Sequence, residues 1–379
     1  MHDFHDVKKP PLLPTLCLLI YLALISLSVT RPDPATAASP AERRDSDGAT
    51  ITILRENGGR VDWSRQLDLI AFDMAAPDGY YDVYTMTPDG LNELCLTCDH
   101  PLSPNKHMGN PAWHPTGNYI AFQMEKEEHD GLSDLATPGL GINTDIWIMN
   151  HDATTFFRVT NVPEGMGVLH PHFSRDGTKL LWAERVGEGS NASGEWALRV
   201  LDLTSAGGTL RPFDITTYQP MGPVLYESHG FTLDGERIIF TAHRVPDPET
   251  YAWMDIYTLH LTTLELVRLT PSPRQWDEHA QYSPDGNRIL WMTSINCNCV
   301  PQDPDGLRTD FWIMGANGSN MTRLTYFSLP GHPHYTEERS VAADSSWGPG
   351  GSAAVVYIQN GESHRPYEGK IAVLDFDGP

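Results

Sequence analysis

Three histidines occupy similar positions in the sequence, each two or three residues before an aromatic side chain. They are His170, His229 and His279. Glu227 lies close before the second histidine, and Glu278 directly precedes the third. Imidazole nitrogens with neighbouring carboxylates are a donor set that first-row divalent cations prefer in proteins. If the fold brings the three histidines together, the sequence predicts a site for a divalent cation.

The same residues also fit a plainer interpretation. Histidines that line a polar channel form hydrogen bonds with backbone groups or water without any metal. Asn110 and His172 join the candidates because they too lie within three residues of an aromatic side chain. The candidate channel and ligand residues are Asn110, His170, His172, His229 and His279, and the candidate metal ligands are His170, His229 and His279. The sequence singles out no general base for a catalytic reaction.

The aromatic residues belong to a unit that is repeated along the chain. In each copy an aromatic residue is followed by a tight turn such as Ser-Pro-Asp-Gly, in which Pro fixes one backbone angle and Gly accepts a positive φ. Clear copies span residues 113–117, 173–177, 231–235, 282–286 and 347–351, and Trp63 begins a degenerate first copy. An apolar second strand follows, then a third strand that usually begins with Asp, and a fourth that often ends in Leu-Thr or Val-Thr.

Four short strands repeated six times are typical of propeller blades. We therefore predict an all-β chain that forms a six-bladed β-propeller of four-stranded antiparallel blades. The sixth copy ends after its third strand, and one apolar segment, residues 50–54, precedes the first blade. This N-terminal strand is predicted to complete the last blade and close the ring. Since the innermost strand of each blade starts beside the central channel, the histidines are expected to face that channel.

The recurring aspartates at the start of the third strands are predicted to be structural acceptors. They are Asp82, Asp145, Asp255 and Asp310. A group that recurs with every blade serves the fold, whereas a catalytic group would not be repeated.

The Ser-Pro-Asp-Gly hairpins, the Asp-led third strands and the Arg-Leu-Thr fourth strands resemble the β-propeller of the TolB family. The resemblance covers residues 62–379 and does not extend to the α/β domain that precedes the propeller in TolB. It implies a TolB-like, WD40-like repeat fold and is not specific for function. The oligogalacturonate lyases, a related class of propeller enzymes, are similar in using channel histidines to hold a metal.

The N-terminus has the features of an export signal. Lys8 and Lys9 precede an uncharged apolar run at residues 12–29, and small residues at positions 35–37 form a cleavage pattern. We predict a signal peptide or membrane anchor at 1–37, a disordered linker at 38–49 and the propeller at 50–379. The protein is therefore expected in the periplasm or outside the cell, with membrane contact only through an uncleaved anchor.

Four cysteines remain when the predicted signal is set aside. They are Cys95, Cys98, Cys297 and Cys299. An even number in an exported chain favours disulfides, with a four-sulfur zinc site as the alternative. The spacing does not determine the pairing.

The formal charge of −23 argues against a nucleic-acid partner, because a duplex would be repelled over most of the surface. Neither a Gly-x-Ser-x-Gly motif nor a phosphate-binding glycine loop is present. The first hypothesis is a binding propeller that holds an envelope or extracellular protein or glycan on one face. The alternative is a metal-dependent polysaccharide lyase or hydrolase, with a divalent cation in the channel as its cofactor. An acidic substrate would need positive charge near the channel, for which Arg60 and Arg339 are candidates.

Overall fold

The structure is a computed structural model that describes most of the predicted propeller. Its described residues are 48–98, 105–129, 131–188, 194–206, 209–243, 253–271, 275–297, 299, 306–361 and 369–376. The predicted signal or anchor (1–37) and residues 38–47 of the predicted linker lie outside them. Within these ranges, no helix has the length and apolar character needed to cross a membrane.

The described residues form six four-stranded antiparallel sheets, which are the blades of a propeller. The chain begins with β1 (Thr50–Arg55). Blade 1 contains β2 (Val61–Trp63), β3 (Ile70–Ala75), β4 (Tyr81–Met86) and β5 (Leu94–Cys95). Blade 2 contains β6 (Met108–Trp113), β7 (Tyr119–Glu125), β8 (Thr144–Asn150) and β9 (Phe156–Arg158), with a short 3-10 helix (Asp134–Ala136) before β8. Blade 3 contains β10 (Gly167–Phe173), β11 (Lys179–Gly187), β12 (Glu195–Ala206) and β13 (Thr209–Tyr218).

The second half of the ring repeats this plan. Blade 4 contains β14 (Tyr226–Phe231), β15 (Arg237–His243), β16 (Met254–His260) and β17 (Leu266–Arg268). Blade 5 contains β18 (Asp277–Tyr282), β19 (Arg288–Thr293), β20 (Asp310–Gly315) and β21 (Thr322–Arg323). Blade 6 contains β22 (Ser340–Trp347), β23 (Ala353–Asn360) and β24 (Gly369–Asp375), followed by β1 as its outer strand. The predicted all-β, six-bladed architecture is confirmed.

The predicted closure by the N-terminal strand is also confirmed. β1 pairs antiparallel with β24, and Thr50 lies opposite Asp375. Packing begins slightly before the strand, because the Ala49 amide donates a hydrogen bond to the Leu324 carbonyl over 2.9 Å and Ala49 is buried. The last two residues of the predicted linker, Gly48 and Ala49, therefore belong to the propeller.

The recurring aspartates tie the third strand of a blade to its fourth. In blade 5, Asp310 accepts hydrogen bonds from Thr325 Oγ1 at 3.0 Å and from Arg323 Nη2 at 2.7 Å. Thr325 Oγ1 accepts the amide of Phe311 in turn, at 2.9 Å. Equivalent contacts are made by Asp145 with Arg158 and Thr160, by Asp255 with Arg268, and by Asp82 with Thr97. These aspartates are structural acceptors, as expected from their recurrence.

Blade 1 departs from this plan at one position. Cys95, opposite Tyr84, stands where blades 2, 4 and 5 have the arginine that pairs with the aspartate. The structure bonds Cys95 to Cys98 and, in blade 5, Cys297 to Cys299. In blade 1 the position of the arginine is thus occupied by a cysteine whose disulfide closes a short loop at the end of β5.

The hydrophobic core is divided among clusters that lie within and between neighbouring blades. The second strands supply many of the largest fully buried side chains, among them Phe72, Phe122, Trp182, Phe240 and Trp291. Because each cluster is shared by adjacent blades, burial holds the ring together and fixes the inner strands around the channel.

Candidate functional site

The inner strands are irregular at the position three residues before their aromatic residue. The pairing with the second strand shifts register around Asn110 in β6, His170 in β10 and His279 in β18. These three residues have φ values of 53°, 51° and 54°, in the left-handed region that Asn and His tolerate better than most side chains. A bulge of this kind re-aims a side chain, and here it brings residues of separate blades together.

The three predicted histidines converge. The ring centroids of His170 and His279 are 5.3 Å apart, those of His229 and His279 are 5.4 Å apart, and those of His170 and His229 are 6.1 Å apart. All three side chains are buried. Burial is the main reason why the pKa of each histidine lies well below its usual value, so the rings are neutral.

Carboxylates surround the histidines. His170 Nε2 is 3.4 Å from Glu227 Oε2. His279 Nε2 is 3.9 Å from Glu278 Oε2, and His279 Nδ1 is 3.9 Å from Asp344 Oδ1. Burial raises the pKa of Glu227, that of Glu278 more strongly, and that of Asp344 to about 7. Potential ligand atoms of His170, Glu227 and His279 lie within 4.8 Å of one another. By distance alone, this set replaces the predicted His229 with Glu227.

The two arginines predicted to supply positive charge near the channel lie in different places. Arg60 is buried in the channel, where its Nη1 is 4.0 Å from Asp344 Oδ2. Arg339 instead donates a hydrogen bond to the Gly361 carbonyl at the end of β23. Arg60 therefore contributes a positive charge to the channel.

A second layer of polar residues holds the channel residues in place. Asp73 Oδ1 accepts the amide of Arg60 at 3.0 Å, and Asp73 Oδ2 accepts the amide of Asn110 at 2.6 Å. Gln123 Oε1 accepts Asn110 Nδ2 at 2.7 Å, while Gln123 Nε2 donates to the Val168 carbonyl at 2.6 Å. Both supporting side chains are buried.

The channel is completed by contacts between blades 2 and 3 and between blades 4 and 5. Asn110 Nδ2 lies 3.3 Å from His170 Nδ1. His229 Nε2 lies 2.7 Å from Thr241 Oγ1 and accepts the amide of His279 at 3.3 Å. One nitrogen of His170 and one of His229 are therefore engaged by neighbouring blade residues.

Sequence reasoning missed this supporting layer, although a signal was present. Asp73, Gln123 and Thr241 each follow the aromatic residue of a second strand, at the same place in three different blades. Apolar Ala183, Met292 and Ile358 occupy the equivalent places in the other three. A comparison of the repeats with one another at that position would have found the polar set.

A cavity of about 100 Å³ opens at the mouth of the channel, on the side of the turns that follow the inner strands. We call it the mouth cavity. Each blade contributes one aromatic residue to its wall, and these are Trp63, Trp113, Phe173, Phe231, Tyr282 and Trp347. His172 and His229 also line it, and burial lowers the pKa of His172 to about 3. The exposed Arg65 and Arg175 add positive charge to an otherwise acidic protein.

No family model matches the chain, and no curated protein matches its sequence. Among solved structures, TolB from Acinetobacter baumannii is 17% identical over 82% of this chain and 64% of its own, with a TM-score of 0.51. A protein assigned as TolB from Agrobacterium tumefaciens is 15% identical over 82% of this chain and 96% of its own, with a TM-score of 0.52. The chain has a TolB-like six-bladed propeller fold.

The resemblance of the TolB-like propeller to these structures concerns the fold alone, because the identities are low. The chain spans 64% of the length of the Acinetobacter baumannii protein. An oligogalacturonate lyase in complex with manganese is 13% identical over 87% of this chain and 94% of its own, with a TM-score of 0.47. The function of the TolB-like propeller therefore depends on the chemistry of its own site.

Proposed function

We propose that this chain is an extracytoplasmic binding propeller, which holds an envelope or extracellular protein or glycan at the mouth cavity. The observation that carries the proposal is the composition of the cavity wall, to which all six blades contribute an aromatic residue. Aromatic side chains bind peptide side chains and sugar rings over a large contact area at low entropic cost. Of the six, Trp63, Phe173 and Tyr282 are half-buried and retain surface for a ligand.

The charges at the rim indicate which ligands the cavity favours. Arg65 and Arg175 are exposed in a chain with a net charge of −23. A local positive potential in an acidic protein attracts a ligand with a negatively charged group and repels basic ones. The ligand we propose therefore places an acidic or polar group at this rim, with an apolar or sugar surface against the aromatic residues.

The test begins with capture of ligands from envelope and secreted fractions by the full-length protein, and mass spectrometry identifies what is captured. A glycan array is probed with the same protein in parallel. The double variant R65E/R175E should weaken capture about tenfold, equivalent to about 1.4 kcal/mol. The matched control is R211E, since Arg211 is exposed on outer strand β13 and does not line the cavity.

A second pair of variants tests the aromatic wall. Trp63→Ala should weaken the same capture, whereas Phe213→Ala should not, because Phe213 is 65% exposed on β13. A protein recovered only in the pull-down identifies a protein ligand, and a signal only on the array identifies a glycan. Capture that both mouth variants leave unchanged would contradict the proposal.

The enzymatic alternative is tested with the same protein. A metal-dependent polysaccharide lyase or hydrolase would generate new chain ends when pectate or another acidic polysaccharide is incubated with the protein and Mn²⁺. Formation of such ends, lost in His279→Ala, would favour the alternative. Unchanged polysaccharide under conditions where capture succeeds would favour the binding role.

A further inference from the structure

We infer that His170 and His229 are held as N–H donors toward the channel, and that they are not ligands for a divalent cation. A cation is the cofactor that channel histidines imply, and three potential ligand atoms do lie within 4.8 Å of one another. Distance is only one requirement of a metal site. The ligand nitrogen must also present a lone pair, and the hydrogen bonds around the two rings decide whether it does.

The direction of the hydrogen bonds near His170 follows from a backbone carbonyl. The Val168 carbonyl can only accept, so the group that Gln123 presents to it at 2.6 Å is the Nε2 amide. Gln123 Oε1 then faces Asn110 at 2.7 Å and must accept from Asn110 Nδ2. The same Nδ2 has a second hydrogen, and it lies 3.3 Å from His170 Nδ1. His170 Nδ1 is therefore an acceptor.

An acceptor at Nδ1 fixes the tautomer of His170. A neutral imidazole carries one proton, and this proton must be on Nε2 when Nδ1 accepts. Nε2 is also the nitrogen nearest to the carboxylate, at 3.4 Å from Glu227 Oε2. His170 thus directs an N–H at Glu227, and Asn110 and Gln123 are its positioning residues.

His229 is constrained in the same sense by blade 5. The backbone amide of His279 donates to His229 Nε2 at 3.3 Å, and a backbone amide cannot act as an acceptor. The Thr241 hydroxyl lies 2.7 Å from the same nitrogen but has a single proton, which it also directs at the Asp277 carbonyl at 3.3 Å, so the assignment of His229 rests on the His279 amide. His229 Nε2 is therefore filled, and the proton of the neutral ring is on Nδ1.

These polarities are the reverse of those in a metal site. A metal-bound histidine offers one lone pair to the ion and donates its other N–H to a carbonyl or carboxylate. His170 and His229 instead receive a donor at the other nitrogen. To bind an ion through Nε2, His170 would need Asn110 to turn its oxygen inward, which would place the amide nitrogens of Asn110 or Gln123 away from their acceptors.

Without these two histidines, the close set of potential ligands is reduced to two residues. His279 and Glu227 are the members of the close set that are left, whereas catalytic zinc sites use three protein ligands. Glu227 already faces the Nε2 proton of His170. Within the described part of the chain, the buried atoms His170 Nε2, His279 Nδ1 and Glu278 Oε1 form no hydrogen bond, although carboxylates lie close to both histidines. An N–H at His170 Nε2 nevertheless offers no lone pair to a cation.

The direct test is NMR spectroscopy of the full-length protein labelled with ¹⁵N-histidine. Couplings between ring nitrogens and ring protons identify the protonated nitrogen, and the signals are assigned by their loss in His170→Asn and His229→Asn. We expect the Nε2-protonated form for His170 and the Nδ1-protonated form for His229. The opposite tautomer at His170 would overturn the inference. After dialysis against EDTA, Zn²⁺ or Mn²⁺ added alone should leave both signals unchanged.

The variant Gln123→Met tests whether the amide relay sets the tautomer. It removes both hydrogen bonds of Gln123, which leaves Asn110 free to turn its oxygen to His170. We expect a mixture of His170 tautomers and an apparent Zn²⁺ affinity that rises about tenfold or more, in line with the effect of groups that orient metal ligands. The control is Gln281→Met, at a half-buried cavity residue outside the relay.

Two further outcomes would reject the inference. An unchanged His170 tautomer in Gln123→Met would show that the relay does not control it. Saturable binding of Zn²⁺ by the wild-type protein, lost in His170→Asn and kept in Gln281→Met, would show that His170 is a ligand. If Gln123→Met does not fold, the wild-type spectrum and the metal titration still decide the question.

Discussion

Asp310 accepts a hydrogen bond from Thr325 Oγ1 over 3.0 Å and so joins the third and fourth strands of blade 5. The carboxylate also accepts Arg323 Nη2 at 2.7 Å and the amide of Phe327 at 2.6 Å. Asp310 is 1% exposed, so if its carboxylate were removed, these donors would lose their partner in a place that water does not reach. Such a group contributes far more to stability than an ion pair at the surface.

Asp310→Asn should therefore lower the free energy of unfolding by about 3 kcal/mol, the size expected when one partner of a buried ion pair is removed. Urea denaturation followed by tryptophan fluorescence measures the loss. Asp82→Asn is the matched comparison, because Asp82 accepts Thr97 but has Cys95 where the arginine would be. Its loss should be clearly smaller. Equal losses in the two variants would show that Arg323 adds nothing.

Asp73 should make the fold more stable as the pH falls. Burial raises its pKa from 3.8 to about 6, although the amides of Asn110 and Arg60 and the charge of Arg60 act in the opposite direction. The folded protein therefore holds this proton more tightly than the unfolded chain does. Its stabilising contribution is complete below the unfolded pKa of 3.8 and disappears as the pH rises through about 6.

The measurement is the difference in unfolding free energy between the wild-type protein and Asp73→Asn. This difference should shift by about 1 kcal/mol in favour of the wild type between about pH 7.5 and about pH 5. Asp285→Asn is the control, because hydrogen bonds in its turn lower the pKa of Asp285 to about 2, so its titration ends below this range. A wild-type profile parallel to that of Asp73→Asn would contradict the assignment.

The strand that closes the ring should be more sensitive near its start than at its middle. Ile51 packs against the core cluster that includes Leu324, Phe327 and Trp347, whereas Ile53 is 42% exposed. Ile51→Ala should cost about 1–2 kcal/mol, less than a fully buried isoleucine, and Ile53→Ala about 0.5 kcal/mol. Thermal unfolding of the two variants gives the comparison. If Ile53→Ala costs as much as Ile51→Ala, β1 packs differently in solution.

The disulfide of blade 1 should contribute modestly to stability. Cys95 and Cys98 are three positions apart, so the bond closes a very short loop. The chain-entropy model gives about 2 kcal/mol for a loop of this size. The double variant C95S/C98S should lose about this much, and reducing agent should then have no further effect at blade 1. Peptide mapping without reduction should recover Cys95 linked to Cys98, and a link from Cys95 to Cys297 or Cys299 would contradict the pairing.

Much of the fold could be predicted because its signals are local and repeated. A Pro-Asp-Gly turn such as that after Ser283 specifies its own hairpin, and five clear copies of the aromatic-plus-turn unit after a degenerate first one leave little choice of architecture. The closure of blade 6 was predictable from β1 because an incomplete last repeat needs an outer strand. Convergence of His170, His229 and His279 followed from their shared place before the aromatic residues.

The chemistry of the channel was harder to predict, because it depends on the direction of hydrogen bonds. The tautomer of His170 is decided by Gln123 and by the Val168 carbonyl, which belong to different blades. No spacing in the sequence encodes which atom of an amide faces which neighbour. The mouth cavity was missed for a similar reason, since its wall exists only once all six blades are arranged in a ring.

The pairing of Thr50 with Asp375 has a consequence for the order of events during biosynthesis. The first strand of the propeller to leave the ribosome is the partner of the last one, so blade 6 cannot be completed until β24 has been made. Contacts between such distant segments slow folding, and the edge of β24 stays open until β1 arrives. The joining of these two strands should therefore be a late step, and it sets how long the newly made protein remains open to aggregation and proteolysis.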